Sequence, residues 1–115
     1  MMSKKYFQIS FWLFLAGVLY LSLSPVTGVP VIKNGDKIGH AISYALLFAL
    51  AVKSYNARFE LWLLAAGTMV FGMLMEWAQS YTGYRHADPL DMIANGSGIL
   101  IMWLLVILSR KVKGQ

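Results

Sequence analysis

The chain has 115 residues, no cysteine and a net charge of +5, with 58% hydrophobic and only 13% charged residues. A soluble domain of that length has too little interior to hide so much apolar surface, so a water-soluble globular fold is excluded and a membrane protein is expected. Without cysteine there are no disulfides, thiolate nucleophiles or thiolate metal ligands, and the redox compartment stays undetermined.

Four apolar runs follow one another. The first covers residues 7–23, with Lys4 and Lys5 before it and Ser24-Pro25 after it. Its basic start and apolar core also fit a cleaved signal peptide, but the run is long and lacks a good small-x-small cleavage site. The second covers residues 38–52 and is entered through Asn34-Gly35-Asp36. The third covers residues 61–75 and continues helically through Glu76 and Gln79. The fourth covers residues 92–108 and ends at Arg110 and Lys111. A spanning helix needs roughly 20 residues, so each span must extend into polar ends. The expectation is a single all-α domain over residues 1–115, an integral membrane bundle of four transmembrane helices at roughly 7–24, 37–54, 59–79 and 89–109. Asp36, His40, Glu76, Asp91 and Asn95 then fall near or just inside one interface.

Charge sets the orientation. With the N-terminus in the cytoplasm, seven of the ten basic residues (Lys4, Lys5, Lys53, Arg58, Arg110, Lys111 and Lys113) lie inside, against Glu60 alone. Lys33, Lys37 and Arg85 lie outside with Asp36, Glu76, Asp88 and Asp91. This is the positive-inside asymmetry, and it predicts both termini in the cytoplasm. Bases at segment ends are explained by topology, so nucleic acid is not expected as a partner. The C-terminal Lys-Val-Lys-Gly-Gln is read as contacting anionic lipid headgroups.

The outer polar residues have helical spacing. Asp36, His40 and Tyr44 are four apart and share a face, with Lys37 beside it. Glu76 and Gln79 share a face at the end of the third helix. Asp88, Asp91, Asn95 and Gly98 form one stripe of the fourth. Three helix ends therefore meet at one level with carboxylate, amide and imidazole groups facing inward. Unpaired charge there is expensive, so the cluster is either a paired network that holds the helices together or a site that meets a polar ligand. Asp88 before Pro89 reads as a helix N-cap, and Asp36 reads equally as a cap or a site residue. His86 reads as solvated surface, and His40 as a core hydrogen-bonding group, a base or a ligand. Gly67, Gly72, Gly96 and Gly98 are expected at close helix contacts. Trp12, Trp62, Trp77 and Trp103 are expected at the interfaces, and Met69, Met73 and Met75 in the core.

Asp36-Lys37, His40 and Tyr44, followed by Glu76-x-x-Gln79 and Arg85-x-x-Asp88-x-x-Asp91-x-x-x-Asn95-x-x-Gly98, resemble the VanZ-like family of bacterial membrane proteins. Ser24-Pro25 after an apolar helix is similar to that family too. The resemblance implies a small multi-pass protein of the bacterial inner membrane. The family is named for a member linked to teicoplanin resistance, which makes a link to glycopeptide resistance or envelope homeostasis an expectation here.

Three functions fit the residues. The leading one is a non-catalytic module that binds a lipid headgroup or cell-envelope component at the outer face. Its binding set is Asp36, Lys37, His40, Tyr44, Glu76, Gln79, Arg85, Asp88, Asp91 and Asn95, and the partners considered are membrane lipids, an envelope precursor or lipid headgroup, and a second copy of the chain. Lys37 and Arg85 would hold phosphate or carboxylate. The second is an enzyme acting on an envelope lipid or precursor, with Asp91, Glu76 or His40 as acid or base. The third is an ion or proton-coupled transporter, against which stand the apolar inner halves of the helices. No cofactor is expected. Asp88, Asp91 and Glu76 lack the spacing of a metal motif, so no metal is assigned from the sequence.

Overall fold

A computed structural model describes residues 3–24, 35–83 and 89–114, with the backbone alone at residues 35 and 36. The described residues form four helices: α1 (Lys4–Leu23), α2 (Gly35–Tyr55), α3 (Leu61–Gln79) and α4 (Pro89–Val112). All four are long and apolar enough to cross a membrane. At 1.5 Å per residue even the shortest, with 19 residues, approaches the roughly 30 Å of a bilayer's hydrocarbon core. Proline takes the first position of α4, where its missing N–H costs nothing. Past α3 the chain turns through Gly83, whose φ of 80° is a left-handed conformation that favours glycine. Asp36 lies inside the first turn of α2 rather than at its cap, because the helix begins one residue earlier.

α2 is the central helix. It packs against α1, α3 and most extensively α4, whereas α1 and α4 do not pack together among the described residues. Tyr44, Leu47, Phe48 and Val52 of α2 meet Ala65 of α3 and Ile99 of α4 in the buried core. The outside carries many large apolar side chains, and the inside holds polar as well as apolar ones. Leu13 is 69% exposed and Ile93 64%, while Ser54, Glu76, Gln79, Asp91 and Asn95 are buried. Such a distribution suits a bundle surrounded by lipid rather than water.

The two ends of the bundle differ. At one end Lys4 Nζ donates to Asn56 Oδ1 (3.0 Å), Gln8 Nε2 to the Ser54 carbonyl (3.2 Å) and Trp12 Nε1 to Tyr55 Oη (2.8 Å). Arg58 and Arg110 line one depression there, so the N-terminus, the α2–α3 turn and the end of α4 share this basic end. At the opposite end Gln79 Nε2 donates to the Ser22 carbonyl (2.8 Å) and ties α3 to α1.

The methionines expected in the core divide. Met73 is 48% exposed and points away from the core, while Met75 is buried and Met69 packs against the core. Trp103 packs 6.4 Å from the Phe48 ring and also lines the depression at the basic end beside Arg58 and Arg110.

Glycines separate by role. A Cβ at Gly98 would overlap the Ala41 carbonyl oxygen, so α4 runs against the α2 backbone at that point. A Cβ at Gly72 would lie 3.0 Å from both Asn95 Nδ2 and the Tyr44 ring. Gly67, in contrast, has open space around it and serves no close contact. Gly98→Ala is therefore expected to lower stability by about 1–3 kcal/mol through overpacking. Gly67→Ala is expected to be neutral or to raise it by up to about 1 kcal/mol through helix propensity. Thermal unfolding of both variants in one detergent checks the pair.

Candidate functional site

The site is built where α2, α3 and α4 come together at the end away from the basic loops. α2 supplies Lys37 and His40, one turn apart on the face that meets α4. α4 supplies Asp91 and Asn95, four apart on the stripe that ends at Gly98. Because Gly98 lets the two backbones approach, short polar side chains above it reach across the seam. Lys37 Nζ donates to Asp91 Oδ1 at 2.7 Å. His40 Nδ1 lies 3.0 Å from Asn95 Oδ1, and its Nε2 lies 3.5 Å from Asp91 Oδ2. Asp91 thus meets two groups of α2 with its two oxygens.

α3 adds Glu76 and Gln79 from one face, and both are buried, 5% and 3% exposed. One ligand-capable atom from each of His40, Glu76 and Asp91 lies within 4.8 Å of the other two. Gln79 holds the Ser22 carbonyl with its Nε2, while its Oε1 is a buried acceptor with no partner among the described residues. A buried acceptor left unmade costs on the order of 1–3 kcal/mol, so this atom is set for a donor. Tyr44 closes the floor of the site. Its ring lies 6.5 Å from His40, nearly parallel to it, and 6.3 Å from Phe71.

Of the residues expected from the sequence, Lys37, His40, Tyr44, Glu76, Gln79, Asp91 and Asn95 are described, and α2, α3 and α4 bring them to one end. Arg85, His86 and Asp88 lie outside the described residues, as does the side chain of Asp36. Two participants were not singled out from the sequence. The Ser22 carbonyl and the Ala41 backbone take part through main-chain atoms, for which residue type carries no signal.

The Lys37–Asp91 pair is only partly screened, its side chains being 23% and 9% exposed. Its removal from one side should fall between the small value of a surface pair and the large value of a buried one. Lys37→Met is expected to destabilise by about 2 kcal/mol, and Lys37→Met with Asp91→Leu by clearly less, since no buried charge is then orphaned. Unfolding midpoints of the single and double variants test this coupling. No protein-family model, curated protein or solved structure matches the chain.

Proposed function

We propose that the chain is a VanZ-like multi-pass protein of the bacterial inner membrane, with both termini in the cytoplasm, that binds a polar lipid headgroup or cell-envelope component at its outer face without transforming it. The observation that carries this reading is the Gln79 Oε1 acceptor, buried without a partner among the described residues at the same end of the bundle as the charged and amide groups. An ammonium, hydroxyl or amide donor of a headgroup, sugar or peptide satisfies that atom, and Glu76 one turn away strengthens the attraction for such donors. Lys37 offers the matching cation for phosphate or carboxylate. The apolar exterior favours ligands that already reside in the bilayer, because they reach the site along the helices rather than through water. The basic end supports the orientation by the positive-inside rule.

Mass spectrometry of co-purifying lipids and precursors tests the binding. One polar species should be enriched on the wild-type chain and reduced at least tenfold on Gln79→Leu, which keeps volume but loses the acceptor together with the Nε2 bond to the Ser22 carbonyl. Identical bulk lipid on both proteins would remove the binding reading and leave a helix-packing network. A species that accumulates only on Asp91→Asn would instead reveal turnover, and with it an enzyme that uses Asp91, Glu76 or His40.

The cysteine-free chain allows a clean test of orientation. Ser3→Cys and Gly114→Cys are expected to resist a membrane-impermeant thiol reagent in intact cells, and Thr82→Cys to react. The reverse pattern would place the polar cluster on the cytoplasmic side.

A further inference from the structure

The His40 imidazole is held in a way that the headgroup reading does not use. Asn95 Oδ1 is an acceptor, so its 3.0 Å contact with His40 requires the hydrogen on Nδ1. In the tautomer with its single hydrogen on Nδ1, the lone pair lies at Nε2. That nitrogen faces Asp91 Oδ2 at 3.5 Å, too far for a good N–H···O hydrogen bond. A lone pair at Nε2 and the carboxylate oxygen are both electron-rich, and a proton or a metal cation between them relieves their repulsion. Lys37 does not fill this gap through Oδ2, because its ammonium sits on the other oxygen, Oδ1.

From these contacts we infer that His40, Asp91 and Glu76 form a binding site for a divalent transition-metal ion of the zinc class. The spacing fits. Two ligands bonded to zinc at 2.0–2.1 Å in tetrahedral geometry sit about 3.4 Å apart, close to the Nε2–Oδ2 separation of 3.5 Å. Three atoms within 4.8 Å of one another share a centre no more than about 2.8 Å from each, so closing on a metal requires rotamer adjustments of less than about 1 Å. Imidazole with two carboxylates and no thiolate is a ligand set of zinc, manganese and iron sites. Three protein ligands leave a coordination position for water or a ligand oxygen. The surrounding groups have the form that metal sites use to orient ligands. Asn95 fixes the histidine tautomer from Nδ1, and Lys37 holds the far oxygen of Asp91. Neighbouring residues along the chain give no hint of this arrangement, because each ligand comes from a different helix.

Metal content of the purified chain tests the site, with zinc as the probe and a purification tag free of histidine. The protein is stripped with chelator in detergent, equilibrated with micromolar zinc and passed over a desalting column. The wild-type chain is expected to retain one zinc ion, and His40→Gln and Glu76→Gln less than one-tenth of that. Asn95→Leu is expected to weaken zinc affinity 10- to 100-fold while keeping all three ligands. Cobalt in the wild-type chain should give visible absorption bands that excess zinc abolishes, a readout that needs no substitution. A wild-type chain that retains no zinc, or variants that retain it in full, would overturn the assignment. Zinc is measured here without added lipid, and the lipid comparison is run in chelator, so either reading can fail without the other.

Discussion

The seam between α2 and α4 is the constraint from which the rest follows. Gly98 lets the α4 backbone lie against Ala41, and this close approach sets the axial register of the two helices. One turn above it, that register places Asn95 against His40, and a further turn above places Asp91 against Lys37. Side chains as short as asparagine and aspartate cannot span a wider gap. A bulkier residue at 98 would push apart groups that it never touches. Packing below and polar contacts above are therefore one structure.

This seam also explains how a small bundle tolerates charge among its helices. In a lipid surround, association gains little from burying apolar surface, since tails are as apolar as leucine, and close packing with interhelical hydrogen bonds takes its place. The core of Tyr44, Leu47, Phe48 and Ile99 provides the packing. Directional contacts at the ends provide orientation: Gln8 and Trp12 at the basic end, Lys37, His40 and Gln79 at the other. Asp91 is a member of both the structural and the ligand-directed networks. The two roles are compatible because its two oxygens point to different groups.

Much of this is legible in the sequence. The four apolar runs predict helices within a few residues of where they lie, since hydrophobicity and proline position speak directly to local structure. The i, i+3 and i+4 spacings predict that Asp91, Asn95 and Gly98 share a stripe, and all three are buried. What spacing cannot supply is the partner across the seam. A helical face is a property of one segment, whereas the pairing of Lys37 with Asp91 and of His40 with Asn95 depends on the register between two. For the same reason the convergence of His40, Glu76 and Asp91 is invisible to any motif along the chain. Gly67 and Met73 show the complementary error. Their residue types suit close contact and core filling, yet Gly67 has open space around it and Met73 is exposed.

The pairing across the seam also has a consequence for biogenesis. Lys37 and His40 lie 54 and 55 residues ahead of their partners in the chain. In a polypeptide that leaves the ribosome N-terminus first, α2 reaches the bilayer while α4 is still unsynthesised. Its polar groups must wait at the hydrated interface, where a charged side chain is tolerated, until the last helix arrives. The lysine that later joins the site is well placed for this delay, because its long stem lets the ammonium stay among headgroups. Assembly is then completed from the C-terminal side, and a chain truncated before α4 would leave Lys37 and His40 without the groups they pair with here.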